Sequence, residues 1–286
     1  MAVWHLYTLW GDSKTVGQGG YGDLTDFRFD LSNPLVQITR NIGGVDDGAP
    51  VTMEMGVNQI SVEHALGHGR HAASGANIWV HKHALSSSLL TINWRTDTST
   101  GTYANFAEAI HAKVASAFPG DAIEYRGAVL ILSVNDLEDN SALIEEDADQ
   151  LITNHRAEFG PVPIWWCMPG TDITKAGVTA GEIAVGRAGL VAAAARHERV
   201  HIIDETGLDY IDGVHPTPDA SQVLGGDRIL PSMAIDGCAT DAFASLPHTA
   251  RAFTSEALAQ AFADAAQSAH GDRDADREQH RGVARG

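Results

Sequence analysis

A chain of 286 residues, 44% apolar and 20% charged, is long enough to bury the core of one large α/β domain and to carry an appendage. No run approaches the ~20 consecutive apolar residues that cross a bilayer. With 37 acidic against 19 basic residues the net charge is −18, which excludes the basic footprint of a nucleic-acid binder.

The first element is the apolar run Val3–Trp10, a buried strand that stops at the polar turn Gly11-Asp12-Ser13. Strand-like sequence starts at residue 2 with no basic region before it, so no secretory signal peptide is expected, and the expected location is cytoplasmic or virion-associated. Residues 14–56 carry few helix signals and much Gly, Asn and Asp, and read as a long, partly ordered excursion. Val57–Ala73 has helical spacing. Ile78–Leu85 is a second strand, Tyr103–Phe118 a helix, Ala128–Val134 a third strand and Ser141–Phe159 a helix with an acidic face. Val162–Met168 is a fourth strand, in which Cys167 reads as a buried free thiol; with Cys238 as the other cysteine there is no disulfide framework. Val178–Arg196 is an alanine-rich helix ending in basic residues, Val200–Ile203 a fifth strand, and Asp219–Leu230 a short helix behind Pro218. A further helix is expected from Thr254 to about His270, and the charged end after it is too poor in apolar residues to fold alone.

Continuous apolar strands alternating with helices imply a flavodoxin-like three-layer α/β/α sandwich on a five-stranded parallel sheet of order 2-1-3-4-5. The expected division is a catalytic domain over residues 1–235 and a helical, charged extension over 236–286. In such sheets ligands bind beyond the C-terminal ends of the strands. Three polar groups fall on that rim: Ser13 after the first strand, Asn135 in "LSVND" after the third, and Asp212 with His215 in "DGVHPTP" after the fifth. A serine hydroxyl needs a base to take its proton, and histidine oriented by a carboxylate is the usual one. An amide at Asn135 can face a developing oxyanion.

Here the sequence resembles the SGNH hydrolases, on the Gly11-Asp12-Ser13, Asn135-Asp136 and Asp212-x-x-His215 blocks in that order. The resemblance is closest to the carbohydrate O-acetylesterase branch, which includes sialate O-acetylesterases and acetylxylan esterases. "GVNQISVEHAL", "VHKHALSSSLLTINW" and "GVHPTPDASQVLGGDRI" are the segments similar to that branch. It implies Ser13 as nucleophile, His215 as general base and Asp212 as its orienter. It implies an oxyanion hole made of the Ser13 backbone N–H, the Asn135 side chain and a backbone N–H of the second block. Where that family has glycine, this chain has Ser86-Ser87-Ser88, and Ser133 replaces a further glycine two residues before Asn135. Serine is not expected to relax into glycine-only dihedrals, so the third donor is read as Ser87, with Ser86 as the alternative.

The expected function is a serine esterase removing short acyl groups, acetyl above all, from carbohydrate or another small ester, with no cofactor and no metal. Of Trp10, Trp94, Trp165 and Trp166, at least three are expected to pack in the core or under a helix; Trp10 beside the nucleophile turn and Trp94 after the second block are the better candidates to face substrate. His64 and His68 stand four apart, a spacing that can ligate zinc, but the HExxH pattern is absent. The G-x-x-x-x-G-K-[ST] loop of nucleotide binders and the G-x-S-x-G elbow are absent too. The competing reading is a catalytically inactive protein of the same fold that binds glycan or serves as a virion tail or spike part, with residues 236–286 as an arm for virion or homo-oligomer assembly.

Overall fold

The structure is a computed structural model that describes residues 1–17, 33–43, 45–46, 48–53, 61–94 and 102–235. Its described strands are β1 (Val3–Gly11), β2 (Val36–Ile42), β3 (Val45–Asp46), β4 (Val51–Thr52), β5 (Asn77–Ala84), β6 (Ala122–Ile131), β7 (Ile164–Met168) and β8 (Val200–Asp204). They form one sheet of order β3-β2-β5-β1-β6-β7-β8, with β4 also paired to β2. The run from β2 to β8 is parallel, and β3 and β4 are antiparallel to β2.

The five strands expected from sequence are β5-β1-β6-β7-β8, in the expected 2-1-3-4-5 order. The expectation of five strands is corrected to eight. Val36–Ile42 lies inside the stretch read as an irregular excursion, yet it pairs along its own full length with Ile78–Ala84 of β5. Its sequence VQITRNI keeps Val36, Ile38 and Thr39 buried while Arg40 and Asn41 break the apolar run that marks the central strands.

Alternation along β1 decides which core each residue joins. Trp4, Leu6 and Trp10 point to one face, where they meet Trp79, Trp94, Phe106 and Trp166. That face is covered by α4 (Thr102–Ser116), α5 (Ile144–Phe159) and α6 (Ala180–Ala194). Tyr7 and Leu9 point to the other, with Val36, Ile38, Trp165 and Cys167. There the cover is α2 (Glu63–Ser74), α7 (Pro218–Val223), the π-helical turn Leu224–Ile229 and α8 (Leu230–Ile235). Two short helices stand on the C-terminal rim: α1 (Ser13–Val16) behind β1 and α3 (Leu90–Asn93) behind β5. The result is the three-layer α/β/α sandwich.

Cys167 is buried and unpaired, and burial pushes its thiol well above the ordinary range. His64, His81 and His155 are held neutral, pushed down to about 3 chiefly by burial. Among the described residues no group of three or more His, Cys, Asp or Glu is placed to hold a metal ion, and no helix is long and apolar enough to cross a membrane. The helix expected over residues 254–270, the charged end and Cys238 lie outside the described residues, as do residues 57–60 of the helix expected over Val57–Ala73.

Candidate active site

The first strand ends in a turn that only glycine can open. A Cβ on Gly11 would collide with the Ile131 carbonyl oxygen and the Thr15 hydroxyl, because β1 and β6 close on each other there. Asp12 then caps α1: its carbonyl oxygen accepts from Thr15 N (3.0 Å) and Val16 N (3.1 Å), and its Oδ1 accepts from Lys14 N (2.9 Å). This lifts Ser13 to the rim, half-buried, while Asp12, Lys14 and Thr15 around it are buried.

The base side comes from the loop between β8 and α7. Asp212 Oδ1 accepts from Val214 N (3.1 Å) and His215 N (2.9 Å), and Asp212 Oδ2 lies 2.7 Å from His215 Nδ1. Burial is the largest single influence on the Asp212 carboxyl and raises it, but these three N–H donors together outweigh it and hold the group below its ordinary value. A carboxylate only accepts, so Nδ1 carries the proton and the neutral ring's Nε2 is the acceptor. Nε2 stands 2.8 Å from Ser13 Oγ. Positions 13, 212 and 215 thus join in one chain of hydrogen bonds.

The loop is braced from outside. Ile211 N donates to the His215 carbonyl oxygen (2.8 Å), Tyr210 bridges to Pro216, and Thr174 N donates to the Gly213 carbonyl oxygen (3.0 Å). Gly213 has φ +83°, and a Cβ there would strike the Thr174 hydroxyl, so glycine is required twice over.

Asn135 sits behind β6, and its Nδ2 donates one hydrogen to the Ser88 carbonyl oxygen (3.1 Å), the second having no acceptor among the described residues. Asp136 ties the same two segments together: its carboxylate accepts from Leu90 N (2.9 Å), Thr91 N (3.0 Å) and Thr91 Oγ1 (2.8 Å). Leu85–Ser88 is a tight turn closed by Ser88 N on the Leu85 carbonyl oxygen (3.2 Å). In it Ser87 has φ +58°, and Ser133 has φ +84°. The expectation that serine would not enter glycine's region is therefore corrected. Both serines hold left-handed backbone, sparsely populated by L-residues, at a cost in strain. The N–H groups of Ser13, Ser86 and Ser87 have no protein acceptor among the described residues.

The reading of Trp10 and Trp94 as substrate-facing is corrected: both are fully buried. Trp10 follows the parity of Trp4 and Leu6 into the core and stacks on Phe106 (centroids 4.5 Å apart). Trp94 folds back beneath its own turn and donates from Nε1 to Ser88 Oγ (3.0 Å). Its place near the motif is real, but its work is to support the Ser86–Ser88 turn.

Sequence reasoning missed the buried ion pairs under α1. Lys14 Nζ pairs with Glu205, the first residue after β8, with both side chains buried. Lys82 Nζ pairs with Glu63 Oε1 (2.9 Å) and donates to the Val16 carbonyl oxygen (2.9 Å). Lys14, Lys82, Lys113 and Lys175 are the whole lysine complement. A lysine directly behind the nucleophile candidate in so lysine-poor a chain was the available signal.

No family model and no curated protein matches this sequence. Solved structures do. A protein of Arabidopsis thaliana is 16% identical with a TM-score of 0.58, covering 80% of this chain and 98% of that one. A carbohydrate acetylesterase from Xanthomonas citri is 12% identical with a TM-score of 0.59, covering 77% of this chain and 54% of that one. This chain therefore spans about half the length of the latter. The likeness is structural, and what it shows is a shared fold, the three-layer α/β/α sandwich.

Proposed function

We propose that the protein is a serine esterase that removes short acyl groups, acetyl above all, from carbohydrate. The observation that carries this reading is the continuous hydrogen-bonded chain Asp212–His215–Ser13, with 2.7 Å and 2.8 Å links. In the reaction, Ser13 Oγ attacks the ester carbonyl carbon while His215 Nε2 takes the hydroxyl proton. The carbonyl oxygen becomes an oxyanion, received by the N–H of Ser13, the N–H of Ser87 and the second hydrogen of Asn135 Nδ2. The intermediate collapses, the C–O bond to the sugar breaks, and the leaving alkoxide takes the proton from His215. A water then gives one proton to His215 and attacks the acyl carbon; the bond from that carbon to Ser13 Oγ breaks, Ser13 Oγ takes the proton back from His215, and the carboxylic acid leaves. Asp212 holds the imidazole in the productive tautomer throughout. Every step uses side chains or backbone of this chain.

Carbohydrate as the substrate class rests on the likeness to the Xanthomonas citri carbohydrate acetylesterase. The reading assigns catalysis to residues 1–235 and leaves 236–286 as a separate extension. The test is turnover of short-chain p-nitrophenyl esters and acetylated oligosaccharides by the unsubstituted protein beside Ser13→Ala. Turnover that falls with chain length and vanishes in Ser13→Ala supports the reading. Glycan binding without turnover in either protein contradicts it.

A further inference from the structure

The carboxyl group directly before Ser13 has no place in the reaction above. Asp12 is fully buried, Oδ1 is engaged by Lys14 N, and Oδ2 has no hydrogen-bond partner among the described residues. The natural counter-ion is two residues away but is taken: Lys14 Nζ is held by Glu205, whose other oxygen, Oε1, is also buried without a partner among the described residues. On the β6 side stands Asp136, buried, its oxygens filled by Leu90 and Thr91. Asp12 thus lies buried in the field of two further buried carboxyls, Glu205 and Asp136, and the lysine beside it is engaged by Glu205. The remaining neighbours do not correct the balance. The Cys167 thiol on β7 is kept neutral by burial, and the Lys82–Glu63 pair on β5 and α2 is internally matched and turned to Val16. His215, across Ser13, has Asp212 as its own carboxylate.

We propose that Asp12 is a proton-bearing gate on the esterase reaction, neutral in the active protein, whose ionisation opposes the oxyanion at the Ser13 turn and shuts turnover down at alkaline pH. The inference rests on the esterase reading of Ser13. Electrostatics supports it independently. Burial is the largest influence on Asp12 and raises its pKa to about 7, with Glu205 and Asp136 adding to the rise and Lys14 opposing it. The sign follows. Below that value the group carries its proton and adds no charge beside the Ser13 N–H. Above it a buried negative charge stands one residue before the Ser13 N–H and opposes the forming oxyanion. The positive charge that forms on His215 already has its partner in Asp212, so the oxyanion feels the net effect.

The test is the pH profile of kcat/KM for a short-chain p-nitrophenyl ester, in the unsubstituted protein, Asp12→Asn and Glu205→Gln. The expected profile is a bell whose alkaline limb lies near the Asp12 value of about 7, the rate falling about tenfold per pH unit beyond it. Asp12→Asn, which imitates the protonated acid, removes that limb. Glu205→Gln removes a negative neighbour and moves the limb to lower pH, a shift that a merely structural role would not produce. Infrared difference spectra across pH ~5.5 to ~8.5, unsubstituted protein minus Asp12→Asn, show the loss of one protonated-carboxyl carbonyl band. Ser13-dependent turnover with an alkaline limb unchanged in Asp12→Asn overturns the proposal, as does the absence of that band. No Ser13-dependent turnover in the unsubstituted protein overturns the esterase reading instead, and the gate with it.

Discussion

The two partners of the Ser13–His215 hydrogen bond are built from opposite materials. Ser13 stands on a turn whose neighbours are buried and charged, and Lys14 and Glu205 beneath it expose 2% and 0% of their side chains. His215 stands on an open loop, where the Asp212 side chain is 54% exposed. Backbone hydrogen bonds, Gly213 and the brace from Thr174 hold its outer part, residues 210–216, with no buried charge there. A buried ion pair is costly to break, because the survivor is left in a medium that does not solvate it. An exposed carboxylate is cheap to neutralise in stability terms, whatever it does for chemistry. Substitutions on the two sides should therefore divide between rate and stability.

The largest effect expected is on the loop side. Asp212→Asn keeps acceptors for the backbone donors but cannot hold His215 in the Nδ1–H form; kcat should fall by ~10⁴ while stability changes by less than about 1 kcal/mol. Steady-state kinetics beside urea unfolding reads both numbers, and a matching loss of stability would erase the contrast. Lys82→Met is the counterpart on the turn side. Burial alone would raise the Glu63 carboxyl, but Lys82 holds it below its ordinary value, and removing Lys82 leaves a buried carboxylate without its cation. The expected cost is about 3–5 kcal/mol in urea unfolding. At the exposed Arg196–Glu145 pair Arg196→Met should leave the midpoint where it is.

How much of this was legible in the sequence follows the same divide. The five central strands were readable because strands covered on both faces are continuous apolar runs. Val36–Ile42 was not, since Gln37, Arg40 and Asn41 interrupt it and its pairing with β5 is a tertiary fact. Ser13, Asn135, Asp212 and His215 were legible as short blocks at strand ends. The Lys14–Glu205 pair joins residues 191 positions apart, and such a pairing leaves no local pattern. Trp10 and Trp94 were misread because nearness to a motif says nothing of the direction a side chain takes. The parity Trp4, Leu6, Trp10 along β1 contained the answer for the first of them.

Asn135 tests whether the two sides share one oxyanion site. Asn135→Ala should lower kcat by ~10²–10³, or about 2.7–4 kcal/mol, with little change in KM, because the contact is made in the transition state. A change confined to KM would make Asn135 a substrate-binding group instead. One change is expected to give a gain. Ser133 is buried at φ +84° with a hydroxyl that has no partner among the described residues, so Ser133→Gly should add about 1 kcal/mol to stability. Loss of stability on that change would mean that the serine is not strained.

The central claim is that His215 activates Ser13, and covalent labelling tests it without any assumption about the sugar. The protein, Ser13→Ala and His215→Ala are each treated with an alkyl fluorophosphonate, digested and analysed by mass spectrometry. The account predicts one phosphonyl adduct on the peptide containing Ser13 in the unsubstituted protein, none in Ser13→Ala, and labelling slowed at least ~10³-fold in His215→Ala. An adduct on another residue, no adduct at all, or equal labelling in His215→Ala would contradict it.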